Sequence, residues 1–156
     1  EHGYDTEDDL KAAFDEAQTQ TTEMRKTLRS TEKKLREVNE QIHYTGQYLA
    51  NKSVYREFLT CKNKKKFRLE HQTEITLYET ARKILKEHSE DGKLPSMKLL
   101  KAEKEKLAAR KSSQYEAYRN LREYEKELHI VKTNIDTFLG KDLSRQTAHE
   151  RESTSS

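Results

Sequence analysis

The sequence predicts an all-α protein: a long antiparallel helical hairpin, coiled-coil-like, with a small helical insertion at its tip. Three observations carry that expectation. The 156-residue chain is 38% charged and only 31% hydrophobic, whereas an ordinary domain is about 45–50% apolar. It holds four glycines, one proline and no tryptophan, too few turn residues for a sandwich, a barrel or a doubly wound α/β fold. Two long stretches space their apolar residues in alternating steps of four and three, the coiled-coil period. No apolar run exceeds three residues, as in Tyr48-Leu49-Ala50, so no membrane span is expected.

The first long helix is expected within residues 1–50. Asp5 or Thr6 supplies a cap, and Glu7, Asp8 and Asp9 put negative charge at the positive end of the dipole. Its seam reads Leu10, Phe14, Ala17, Thr21, Met24, Leu28, Thr31, Leu35, Val38, Ile42, Thr45 and Leu49. Gly46 is the weak point, because an interior glycine costs about 1 kcal/mol relative to alanine.

Residues 51–95 form the expected insertion, basic and aromatic. Val54, Tyr55, Phe58 and Leu59 suggest one short helix. Phe67 to His88 suggests another, with Ile75, Leu77, Tyr78, Ala81, Ile84 and Leu85 apolar on more than one face. Such a helix must be buried over a wide arc, so it should pack on the distal end of the hairpin.

Gly92-Lys93-Leu94-Pro95 ends the insertion, and Ser96 caps the second long helix, residues 96–140. The expected seam there is Leu100, Glu103, Leu107, Arg110, Gln114, Ala117, Leu121, Tyr124, Leu128, Val131, Ile135 and Phe138. Gly140 is the expected stop. In-register pairing brings Phe14 to Ile135 and Leu28 to Leu121. Residues 141–156 lack periodicity and read as a disordered tail.

The net charge of +3 hides an asymmetry. Residues 1–20 hold seven acids and one base, and residues 51–68 hold seven bases and one acid. The basic set is Lys52, Arg56, Lys62, Lys64, Lys65, Lys66 and Arg68, interleaved with His43, Tyr44, Tyr48, Tyr55, Phe58, Phe67 and His71. Lysine and arginine displace counterions from phosphates, and rings can stack on unpaired bases. The bland alternative is a solvated loop whose rings serve a small core. Nothing in the run implies base-sequence readout.

Other chemistry finds no support in the spacing. No Cys or His pair has metal-ligand spacing, and His71 with Glu74 is isolated. A nucleophilic tyrosine needs an activating base or metal beside it, and none is evident. Tyr44/Tyr48 and Tyr115/Tyr118 have helical spacing that suggests packing. There is no glycine-rich phosphate loop. Catalytic residues, metal and cofactor are therefore expected to be none. Cys61 is the single cysteine, which excludes an internal disulfide and suits a reducing cytoplasm. Without an initiator methionine or an apolar signal segment, the chain reads as a piece of a larger protein.

Four stretches resemble a known family. They are QIHYTGQYLANKSVYREFL (41–59), EITLYETARKILKEH (74–88), GKLPSMKLLKAEKEKL (92–107) and QYEAYRNLREYEKEL (114–128). Together they resemble the relaxase/mobilization proteins of Gram-positive conjugative and mobilizable elements, in the helical region after the nuclease domain. The likeness spans roughly residues 35–140. It implies a bacterial cytoplasmic parent that nicks DNA at a transfer origin through a tyrosine and a histidine-bound metal. No His-hydrophobe-His segment occurs here, and no tyrosine matches the catalytic one, so no catalytic residue carries over. The leading expectation is a non-catalytic accessory domain that contacts DNA through the basic tip and supports mobilization. The alternative is a coiled-coil module that self-associates as a homodimer, or recruits a conjugation accessory or coupling protein, without binding DNA.

Overall fold

The structure, a computed structural model, describes residues 7–154, with side chains described as far as residue 140. Four helices follow one another: α1 (Glu7–Thr60), α2 (Lys64–Glu70), α3 (Gln72–Glu87) and α4 (Met97–Thr154). There is no strand among the described residues. The long α1 and α4 pack against each other as an antiparallel hairpin, and α2 and α3 form the insertion between them. The chain divides into two compact units, Glu1–Leu28 with Ser113–Ser156, and Arg29–Ser112.

Three boundaries differ from those the sequence suggested. The short helix expected at Val54–Leu59 is the continuation of α1, which runs through Gly46 and the 50/51 boundary to Thr60. Space explains the tolerance: a Cβ on Gly46 would sit 3.9 Å from Met97 Cε, an ordinary contact. The helix expected from Phe67 to His88 is two helices, broken at His71. Helix α4 does not stop at Gly140 but continues to Thr154, through most of the segment read as a disordered tail. Nothing there breaks a helix, since no proline follows Gly140 and one glycine costs only about 1 kcal/mol. The caps proposed at Asp5 and Thr6 lie outside the described residues. The Ser96 start is observed, its carbonyl accepting the Leu100 N–H at 3.0 Å.

In the first unit, Leu10, Ala17 and Leu128 form the buried cluster, with Ala13, Phe14, Leu121, Tyr124 and Ile135 packed on it. The Phe14 ring lies 6.0 Å from the His129 ring, with the Lys132 ammonium 5.7 Å from its centre. The register is therefore slid from the Phe14–Ile135 pairing by about one helical turn. A polar knot marks the new register. The Thr21 hydroxyl is 2.8 Å from the Ala17 carbonyl and 3.1 Å from a Glu125 carboxylate oxygen, so its one proton is shared between two acceptors. Arg122 donates to the same carboxylate oxygen at 3.3 Å, and Arg25 donates to the Tyr118 hydroxyl at 3.2 Å.

That register explains a second correction. On α4 the heptad positions Leu121, Leu128 and Ile135 face the cluster. The residues three before each of these, Tyr118, Glu125 and Lys132, share that side through the contacts to Arg25, Thr21 and Phe14. Of the residues three further on, Tyr124 packs on the cluster, but Val131 and Phe138 are exposed, Phe138 at 71%, as is Ala117 earlier on the helix. Amphipathic side chains cover the seam with their stems and leave their polar ends wet. Beyond Tyr124, a step of four thus replaces the step of three that apolarity alone favoured.

In the second unit, Thr31, Val38 and Thr45 of α1 are buried, as are Leu100 and Leu107 of α4. Helix α3 contributes Ile75, Tyr78, Ala81 and Leu85. Its arc is narrower than the sequence suggested, because Leu77 is exposed. Glu103 and Arg110, read as seam positions of α4, are also exposed. The turn into α4 uses Gly92 at φ +73°, a left-handed conformation that favours glycine. Asp91 closes that turn by accepting from the Lys93 N–H at 3.1 Å and the Ser89 hydroxyl at 2.9 Å. These two bonds, the backbone one foremost, hold its carboxyl below the usual range.

Candidate nucleic-acid interface

All seven basic residues singled out from the sequence are exposed. Lys62 lies between α1 and α2, and Lys64, Lys65 and Lys66 make the first turn of α2. The Asn63 side chain caps that turn by accepting the Lys66 N–H at 3.1 Å. Positive charge at a helix N-terminus opposes the dipole, so these lysines do not serve the stability of α2. Arg56 projects from α1 one turn before its end.

Two of the seven are engaged within the fold. The Lys52 ammonium sits 5.9 Å from the Tyr48 ring centre. Arg68 donates to a Glu79 carboxylate oxygen at 2.7 Å and lies 4.9 Å from the Phe58 ring centre. It joins α2 to α3 and to α1 at once, so its fork is fixed.

The interleaved rings are also committed. They form a chain of neighbours: Tyr48 to Tyr78 at 4.9 Å, Tyr78 to Tyr55 at 4.1 Å, Tyr55 to Phe58 at 5.7 Å, Phe58 to Phe67 at 6.2 Å and Phe67 to His71 at 4.4 Å. Offset ring pairs add stabilisation beyond their area, and here they seat α3 and α2 on α1. Burial, then the Tyr48 hydroxyl, push the Tyr78 phenol up to about 12. The rings thus serve the small core, in keeping with the blander of the two expectations.

Sequence reasoning missed a third arm of the surface. Arg82, Lys83 and Lys86 of α3 line an open groove of about 440 Å³ with Tyr55, Arg68 and Glu79. Glu79 is the single acid in that lining, and Arg68 neutralises it. The signal was the spacing: Lys86 lies one turn on from both Arg82 (i, i+4) and Lys83 (i, i+3). The apolar pattern of Phe67–His88 drew attention to the opposite side.

Elsewhere the chemistry is sparse. Among the described residues no group of three His, Cys, Asp or Glu side chains is placed to hold a metal ion. The Cys61 thiol, half-buried, donates to the Phe58 carbonyl at 3.1 Å. Of the tyrosine pairs read as packing, Tyr44 meets His43 edge-on at 5.2 Å, whereas Tyr115 is exposed. No helix among the described residues is long and apolar enough to cross a membrane. Compared with protein-family models, curated proteins and solved structures, the chain matches none of them.

Proposed function

We propose that this chain is a non-catalytic helical module that contacts DNA through its basic tip, as an accessory region of a conjugative relaxase in a bacterial cytoplasm. The relaxase context rests on the four stretches that resemble that family. The DNA contact rests on one observation above all. Lys62, Lys64, Lys65 and Lys66 are all exposed, while the neighbouring rings pack on one another. Such a surface binds phosphates without reading bases.

The test is a fluorescence-anisotropy titration with labelled DNA at about 50 and about 200 mM salt. If about six phosphates are contacted, affinity should fall about a thousandfold between those two salts. Lys64→Glu/Lys65→Glu/Lys66→Glu should abolish binding and keep the helix content. Unchanged affinity in that variant removes the run from the mechanism.

A second reading is favoured by a specific feature of α4, the exposed Val131 and Phe138 on the side away from the cluster. It is self-association or partner recruitment without DNA. Sedimentation at micromolar concentration tests the self-association: it needs a dimer that Phe138→Ser dissociates, and a monomer excludes it.

A further inference from the structure

We infer that the groove between α1, α2 and α3, lined by Tyr55, Arg68, Glu79, Arg82, Lys83 and Lys86, seats the backbone phosphates of duplex DNA. The inference rests on the DNA-contact reading above and gives it a place and a strand form.

Charge comes first. Four cations face the groove against one carboxylate, and that carboxylate is already 2.7 Å from Arg68. The surplus falls on Arg82, Lys83 and Lys86, all exposed. These lie on successive turns of one side of α3, so their ammonium and guanidinium groups line one wall. Preorganisation is the second point. A guanidinium has five N–H donors. Arg68 spends part of them on Glu79 and is fixed against Phe58, so its remaining donors are presented with little further loss of freedom. The lysine run on α2 has no such anchoring, being all exposed on a short helix. It would draw DNA in by charge and the groove would fix it, so that binding needs both.

Strand form follows from the rings. Single-strand sites combine a basic groove with free rings for unpaired bases. Here Tyr55, the one aromatic residue of the groove, is stacked on Tyr78 at 4.1 Å and packed against Phe58. With that ring engaged by two neighbours, the site relies on phosphate charge, and a duplex offers about one charge per 1.7 Å against about one per 3.4 Å for one strand.

The experiment compares wild type, Arg82→Gln/Lys83→Gln/Lys86→Gln and Lys64→Gln/Lys65→Gln/Lys66→Gln. Each is titrated with a duplex, a single strand of the same length, and inorganic pyrophosphate, over a salt series. Duplex should bind wild type more tightly than single strand. The groove variant should flatten the log–log salt slope for duplex by about two to three units, about 0.9 for each phosphate no longer neutralised. Circular dichroism checks that it stays helical. Should it unfold, the single variant Lys86→Gln should still flatten the slope by about one unit. Duplex affinity and slope unchanged in the groove variant, but abolished in the lysine-run variant, would overturn the groove and keep the DNA reading. Tighter binding of single strand would overturn the duplex assignment. Saturable pyrophosphate binding without duplex binding would make the groove a site for small polyphosphates and overturn both readings. No duplex binding by wild type at about 50 mM salt, where phosphate neutralisation is strongest, would likewise end both.

Discussion

Tyr78 joins the ring chain to the buried face of α3, and its phenol is pushed from 10.0 up to about 12. The folded state therefore keeps its proton where the unfolded chain gives it up. That contribution to stability is intact below pH 10 and is lost as pH climbs through about 12. Urea denaturation at about pH 9, 10.5 and 12 should show the fall, and Tyr78→Phe should lessen it. Gly46 is the opposite case, a position where the sequence offers less than the structure accepts. Its missing Cβ would meet Met97 at an ordinary 3.9 Å. Gly46→Ala should therefore stabilise the protein by about 0.5–1 kcal/mol, visible as a melting point raised by about 2–4 °C. Gly92→Ala should do the reverse, because its φ of +73° strains any side chain.

Among the elements, α1 was the most legible. Every seam residue from Leu10 to Thr45 is buried or half-buried, and only Leu49 is exposed. Threonine at three of those positions did not mislead, because a helical threonine can bond its own backbone, as Thr21 bonds the Ala17 carbonyl. Helix α4 was half legible. Its positions every seventh residue from Leu100 held, and so did Tyr124, but elsewhere Tyr118, Glu125 and Lys132 share the seam side while Ala117, Val131 and Phe138 are exposed. Apolarity cannot distinguish a step of three from a step of four when long polar side chains cover a seam with their stems. Leu128→Ala should accordingly cost about 2–5 kcal/mol in chemical denaturation. Phe138→Ser, in the same sequence pattern but exposed, should stay within about 0.5 kcal/mol. The groove on α3 was legible only as charge. Its Tyr55 wall is packed on Tyr78, and that pairing of α1 with α3 is encoded by no local spacing.

At the scale of the whole molecule, stability is unevenly supplied. Among the described residues, the unit Arg29–Ser112 buries Val38, Ile75, Tyr78, Ala81, Leu85, Leu100 and Leu107. The other unit buries fewer apolar side chains, Leu10, Ala17, Leu28 and Leu128. Native-state hydrogen exchange should therefore be slowest along Ile75–Leu85 and faster in Glu7–Leu28, because amides report the local density of buried apolar packing. The polar knot of Thr21, Glu125 and Arg122 bears on a different property. Heptads repeat, so two long helices can slip by about seven residues and still set leucine on leucine. Slippage would take the half-buried Glu125 carboxylate away from the Thr21 hydroxyl, 3.1 Å from it in the observed alignment, and leave it only Arg122 of its own helix. A hydrogen bond lost by a half-buried charge is costly. The knot works as a latch. With Thr21→Val the pair of helices is free to ratchet, and a single set of amide resonances should give way to two.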